Sequence, residues 1–136
     1  MLVKKIVALF LLVFVISSCS QKLKDGITPQ IIPTPLNQDI KEGQFVLNNA
    51  TGIKYPEALK VSAELLKSFI ENGSDFQLKT SNDIEFILDS ELNNKEGYVL
   101  DVQPKKIKIR ASTDQGAFYA VQSLKQLLPL EFENKS

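Results

Sequence analysis

Residues 98–129, YVLDVQPKKIKIRASTDQGAFYAVQSLKQLLP, constrain the fold more than any other stretch, because their hydrophobic period changes once and sharply. Tyr98, Leu100 and Val102 alternate with Val99, Asp101 and Gln103. Beyond Pro104-Lys105, Ile107, Ile109 and Ala111 alternate with Lys106, Lys108 and Arg110. A period of two places every second side chain on one face, so the two runs predict a hairpin with a polar face toward water. From Ser112 onward the period is that of a helix. Phe118, Val121, Leu124, Leu127 and Leu128 share one stripe, and Pro129 ends it. Ser112-Thr113-Asp114-Gln115 has the pattern of a capping box at its start. Gly116 in the first turn costs about 1 kcal/mol relative to alanine. Either another backbone approaches closely there or the helix end frays.

Upstream, the first strong helix signal covers residues 56–72. Pro56 suits a first helical position, Glu57 complements the positive end of the helix dipole, and Asn72-Gly73 supplies an exit. Ala58, Val61, Leu65, Leu66, Phe69 and Ile70 recur at spacings of three and four, with Lys60, Glu64, Lys67 and Glu71 largely off that stripe. Residues 44–48 (QFVLN) and 75–79 are short strand candidates, with a loop through Asn49, Gly52 and Lys54. In residues 84–89, Ile84, Phe86 and Leu88 alternate, and residues 93–97 form a turn. The order of strand, helix, several strands and helix predicts one α+β domain over residues 31–130. The expected architecture is a mostly antiparallel sheet with two helices packed on one face. About 100 residues suffice for a real core.

The beginning of the chain has a different character. Lys4 and Lys5 precede an apolar run over residues 6–16, followed by Ser17 and Ser18. Eleven apolar residues rise only about 16 Å as a helix, half of what a bilayer core demands, so residues 1–18 read as a signal peptide and not as a membrane span. Ile16-Ser17-Ser18-Cys19 resembles the lipobox of bacterial lipoproteins. That resemblance implies cleavage before Cys19 and lipidation of its thiol and new amino terminus, which makes a durable membrane anchor. It further implies a cell-envelope location, with Ser20 favouring the outer membrane. Residues 19–30 then act as the lipidated cysteine and a tether. The mature chain would have 118 residues and a net charge of −2, too small to imply an electrostatic partner.

The residue inventory excludes much chemistry. The chain has no histidine and one cysteine. Ser-His-Asp and Cys-His catalysis, an internal disulfide and cysteine-based metal clusters are therefore ruled out. Sixteen basic and sixteen acidic residues balance, which gives nucleic acid nothing to bind. No phosphate-binding glycine loop, zinc-protease motif or nucleophile elbow occurs, and no cofactor is expected. Asp83, Glu85, Asp89 and Glu91 are the densest carboxylates. Paired carboxylates can hydrolyse glycosides, but Glu85 and Asp89 alternate outward on a strand and read as solvated acids. Lys105, Lys106, Lys108 and Arg110 could hold an anion, but at strand spacing they read as a solvated face. Asn49-Ala50-Thr51 and Asn72-Gly73-Ser74 match the glycosylation sequon and fit loop chemistry equally well. Tyr119, beside Phe118, reads as packing at the polar edge of its helix. No residue is assigned a catalytic, cofactor-binding or metal-binding role.

Several segments together nevertheless resemble a known family. Ile31-Ile32-Pro33-Thr34-Pro35, residues 97–102 (GYVLDV), residues 107–111 (IKIRA), residues 116–124 (GAFYAVQSL) and Gln126-Leu127-Leu128-Pro129 are similar to the N-terminal domain of bacterial β-N-acetylhexosaminidases of glycoside hydrolase family 20. The resemblance covers residues 31–129. It implies an α+β domain of zincin-like arrangement without metal, packed on the flank of a (β/α)8 barrel. In that family the barrel hydrolyses terminal N-acetylhexosamine with an aspartate-glutamate pair, the substrate's own acetamido group serving as nucleophile. Nothing here matches the His-x-Gly-Gly-Asp-Glu segment that carries the pair, so no catalytic residue transfers to this chain.

The expectation is a non-catalytic support domain on a lipoprotein precursor. The chain would be truncated, with residues 131–136 a tail where the barrel would follow. Its partners would be membrane lipid through Cys19 and the catalytic barrel. The alternative is a stand-alone membrane-anchored module that binds glycan or protein, and a small enzyme with an unrecognised carboxylate site is a third reading. A support domain predicts an exposed apolar patch on a helix or strand face; a binding module predicts an aromatic-lined groove.

Overall fold

The structure is a computed structural model and describes residues 29–130 and 132. The signal-peptide reading of residues 1–18, Cys19, nearly all of the tether and most of residues 131–136 lie outside the described residues. The chain forms strand β1 (Gly52–Lys54), a 3-10 turn (Glu57–Leu59), helix α1 (Lys60–Gly73), strands β2 (Lys79–Leu88), β3 (Tyr98–Gln103) and β4 (Lys106–Ala111), and helix α2 (Asp114–Leu127).

The four strands lie in the order β1-β2-β4-β3. β1 pairs with β2 and β2 with β4 in parallel, and only β3 and β4 are antiparallel. The sheet is therefore mixed and not mostly antiparallel. The cause is connectivity. Helix α1 carries the chain from the end of β1 back to the start of β2, as a parallel neighbour requires. The loop over residues 89–97 then crosses to the far edge, and the hairpin brings β4 back between β3 and β2. Alternation identifies a strand and its inner face but is silent about its neighbours.

Two local expectations also change. Residues 44–48 form no strand, although Phe45 and Leu47 pack against the core. Their alternation records burial and not pairing. The edge strand is instead β1, in the stretch expected to be loop. Of the candidate at residues 75–79 only Lys79 is strand, and β2 runs from it through the candidate at 84–89 to Leu88, with an irregular stretch that the register of its partner shows. Gly52 pairs with Lys79 and the next residue, Ile53, with Ile84, so residues 80–83 bulge away from β1. Asp83 secures the bulge, its Oδ2 accepting the Gly52 N–H at 2.9 Å and the Ser81 hydroxyl. A Cβ on Gly52 would stand 2.3 Å from Ser81 Oγ, so only glycine fits.

Both helices cover one face of the sheet. Ile84, Phe86, Ile107 and Ile109 point inward, and a single core joins them to Leu59, Leu66 and Ile70 below α1 and to Ala117, Ala120, Val121 and Leu124 below α2. The buried faces are rotated from the expected stripes. Val61 (75% exposed) and Leu65 point outward from α1, as does Phe118 from α2, while Ser62, Ala63 and Ser123 are buried. The apolar spacing was ambiguous because each helix has apolar residues on more than one face; the small residues let the helices sit close to each other and to the sheet.

The helices run parallel. At their N-terminal ends the Ser62 N–H donates to Asp114 Oδ1 at 3.1 Å, and the Ser62 hydroxyl donates to the Asp114 carbonyl at 2.8 Å. At their C-terminal ends Lys125 Nζ lies 4.1 Å from the centroid of the Phe69 ring, a cation–π contact. Regular helix α1 begins at Lys60 and not at Pro56, and its N-cap Leu59 supplies no side-chain cap. Asp114 takes that role from the other helix. In α2 the cap is Thr113, which accepts the Gly116 N–H at 3.2 Å. The expected capping box of Ser112 and Gln115 does not form: the cap falls one residue later, its N3 position is Gly116 with no side chain to reach back, and the Gln115 amide donates to Glu96 Oε1 at 2.9 Å.

The turn before β3 is sewn to the start of α2. Ser112 Oγ donates to the Asn94 carbonyl at 3.2 Å, and Thr113 Oγ1 donates to the Lys95 carbonyl. The reason for Gly116 is close approach: a Cβ there would lie 2.5 Å from the Gly97 carbonyl oxygen. At the opposite pole the side chain of Gln126 clamps the backbone of Ile32, accepting its N–H and donating to its carbonyl, each at 2.9 Å. Phe132 lies on Gly73, where a Cβ would meet its carbonyl oxygen at 2.8 Å.

Two outcomes follow from these contacts. Gly116→Ala gains about 1 kcal/mol of helix propensity yet is expected to destabilise the fold by a net 1–3 kcal/mol, because the overlap with Gly97 exceeds that gain. Chemical denaturation of both proteins measures the difference. Asp83 is held below the ordinary carboxylate range, first by the Ser81 hydroxyl and then by the Gly52 N–H, against the opposing effect of burial. A depressed folded-state pKa stabilises above the unfolded value, near pH 4, and that stability disappears as pH falls through the folded value. Thermal unfolding between pH 7 and pH 2 should therefore show a steeper acid loss in the native protein than in Asp83→Asn.

Candidate functional site

The face of the sheet turned away from the helices carries the charged residues singled out in the sequence. Glu85 bridges two strands, with Oε2 2.6 Å from Lys106 Nζ and Oε1 3.8 Å from Lys54 Nζ. Arg110 Nη1 lies 3.2 Å from Asp89 Oδ2. The Lys106 contact, ahead of the neighbouring lysines, holds Glu85 below the ordinary carboxylate range, again against burial. Glu85 is thereby unsuited to general-acid work, which requires a raised pKa. Asp83 belongs to the bulge. Glu91 is exposed, with its N–H on Asp89 Oδ1 at 3.1 Å. The four carboxylates do not converge on one point. Nor do the four cations, since Lys106 and Arg110 are spent on Glu85 and Asp89 while Lys105 sits at the hairpin tip. Among the described residues no group of three or more His, Cys, Asp or Glu could hold a metal ion.

The sequon hydroxyls serve their turns. Thr51 Oγ1 accepts the Asn48 N–H at 3.0 Å, and Ser74 Oγ donates to the Ile70 carbonyl at 2.6 Å. A hollow of about 170 Å³ at the β1 edge is lined by Ile53, Lys54, Tyr55, Lys67, Leu78, Lys79 and Thr80. Its one aromatic residue, Tyr55, donates its hydroxyl to Glu64, which, with burial, raises the phenol pKa. A hollow with three lysines and a committed tyrosine is no stacking platform for a sugar.

The surface that stands out is the outer face of the helix pair, which sequence spacing assigned to the core. Val61 and Leu65 project beside the groove between the helices. Phe118 stands one turn beyond the Ser62–Asp114 contact and so rises at the same groove. Tyr119 packs edge-on against Phe118, with ring centroids 5.7 Å apart. Phe118 and Tyr119 are 40% and 39% exposed, high for adjacent aromatic residues in the middle of a helix. Charge is nearly absent from this face. Lys60, Glu64, Lys67 and Glu71 fall on the flank of α1 away from α2, and α2 has only Asp114 and Lys125, at its two ends. Depletion of charge around exposed aromatic residues marks the core of protein–protein interfaces.

Comparison with known proteins agrees with the fold. Residues 28–135 match the family model for glycosyl hydrolase family 20, domain 2. The chain is 32% identical over 134 residues to a β-hexosaminidase of Porphyromonas gingivalis, covering 88% of this chain and 17% of that protein. It is 32% identical over 106 residues to a β-hexosaminidase of Vibrio vulnificus, covering 76% of this chain and 12% of that one. The chain thus spans less than a fifth of the curated relatives it matches. Among solved structures, Streptomyces plicatus N-acetyl-β-hexosaminidase superposes with a TM-score of 0.73 at 25% identity, covering 79% of this chain and 23% of the other. The β-N-acetylhexosaminidase of Bacteroides fragilis does so with 0.62 at 26%, covering 73% and 21%. The mixed four-stranded sheet with its helix pair, matched in sequence along nearly the whole described domain, makes this chain a member of glycosyl hydrolase family 20, through domain 2.

Proposed function

We propose that the domain is the non-catalytic N-terminal support of a β-N-acetylhexosaminidase and holds the catalytic barrel through the outer face of α1 and α2. The observation that carries this reading is the uncharged helix face with Val61, Leu65, Phe118 and Tyr119 exposed on it. An apolar face rimmed by polar residues is what an interdomain contact leaves when seen from one side. The chemistry, hydrolysis of terminal N-acetylhexosamine, belongs to the barrel. The stand-alone binding module is less favoured, because the one hollow described offers lysines where a glycan groove needs aromatic walls.

The envelope assignment is part of the same proposal. Cys19, in its lipobox-like setting, is the acylated residue that would hold the domain on membrane lipid, with the outer membrane as its location.

Two experiments test these statements. The catalytic portion of the Porphyromonas gingivalis relative, expressed without its own N-terminal domain, should be retained by this chain on a column and released by Phe118→Asp. Retention that is indifferent to Phe118→Asp would show that another surface is used. Growth of the host with an alkyne-tagged fatty acid should label the chain and leave Cys19→Ser unlabelled; label persisting in Cys19→Ser would remove the anchor from the proposal.

A further inference from the structure

We propose that the pole at which the chain enters the domain lies on a lipid bilayer, with Ile32, Leu36, Ile40 and Val46 set into the boundary between headgroups and acyl chains. The inference rests on the acylation of Cys19 proposed above and adds a non-covalent contact with the same membrane.

The segment over residues 31–48 forms neither helix nor strand. Gln126 ties its start to the end of α2. Gly43 lies against the hairpin tip, where a Cβ would stand 2.7 Å from Pro104 Cγ. The segment thus runs across the pole formed by the hairpin and the C-terminal ends of the helices, and its Phe45 and Leu47 pack against the core. Its other large aliphatic side chains are left in water. Ile32, Ile40 and Val46 are each more than half exposed and Leu36 completely so, and Leu130 joins them beyond α2. Among the described residues no other connecting segment exposes a large apolar side chain. Loop surface is ordinarily polar, and clustered aliphatic residues on it mark a contact.

The tether says what covers them. Ten residues separate Cys19 from Pro29, and even fully extended they reach at most about 35 Å. The clamp on Ile32 fixes where that tether leaves the domain, so an acylated Cys19 holds this pole toward the membrane. Tethering raises the local concentration of lipid to the point where a few aliphatic side chains suffice. The backbone suits a poorly hydrated boundary as well. Ile32 has its N–H and carbonyl satisfied by Gln126, while Pro33 and Pro35 carry no N–H to desolvate. Charge contributes little. The segment has Asp39, Lys41 and Glu42, with Lys41 Nζ 3.6 Å from Asp39 Oδ2, so the contact is apolar and suits neutral lipid.

The full chain, produced in a host that acylates lipoproteins and reconstituted in phosphatidylcholine vesicles, tests the contact. With Cys19 acylated, Leu36→Cys supplies the only free thiol. An environment-sensitive dye there should shift to the blue and lose most of its emission when the lipids carry an acyl-chain nitroxide. The same dye on Asn93→Cys, in the exposed turn at the opposite pole, should do neither. Ile40→Asp combined with Val46→Asp should abolish the quenching at position 36 while the chain still floats with the vesicles, its fold checked by circular dichroism. High salt should leave the quenching unchanged, since screening acts on charges alone. A floating chain unquenched at position 36, quenching that survives the double substitution, equal quenching at position 93, or loss in high salt would each overturn the contact and leave the anchor standing. A chain that mass spectrometry finds unacylated at Cys19 removes the anchor, and the contact with it.

Discussion

Asp114 serves two helix N-termini at once, and the layout of the domain depends on it. Its own helix, α2, starts at this residue, and its carboxylate accepts the Ser62 N–H in the first turn of α1. Parallel helices place their positive ends side by side, an arrangement that a shared carboxylate offsets. Lys125 has the reciprocal position at the negative ends, over the Phe69 ring. With α1 lacking any side-chain cap of its own, the helix pair is completed only in the tertiary fold. Helix α1 returns the chain so that β2 runs parallel to β1, whereas β4 comes parallel to β2 through the crossing loop and the hairpin.

How much of this could be read from the chain depends on what kind of signal each residue emits. The hairpin of β3 and β4 was legible because its alternation is strict and its two-residue link is short. The existence of both helices was legible from their period, whereas at Gly116 the sequence left close approach and fraying open, and the Gly97 carbonyl decides for the first. Sheet order was not, because pairing partners share no local signature. The three-residue strand β1 was hidden for the same reason, with Asp83 and Gly52 making a bulge whose two halves are 31 residues apart. The faces of the helices were misassigned where Val61, Leu65 and Phe118 added apolar residues beyond those the core uses.

That misassignment is itself informative. The surplus of apolar stripe over what the sheet covers is the ground of the barrel contact proposed above. The charged residues support this, because they are arranged with economy: acids and bases of the outer sheet face pair with one another across β2 and β4, those of α1 sit on one flank, and α2 spares its whole middle. Family membership then gives that uncovered face a natural context, since the matched relatives are several times longer than this chain.

Gln126 and Gly73 bear on a different matter, the mechanics of the domain. The clamp on Ile32 and the seat of Phe132 lie at the C-terminal ends of α2 and α1, so the chain enters and leaves its fold at one pole. Tension between those two points would load the pole and nothing above it. The Gln126 clamp and the Phe132 contact would peel in turn, one small barrier after another, before force reached the sheet. The body of the domain is thereby insulated from pulling on either end, like a bead hung from a loop in a string and not threaded on it.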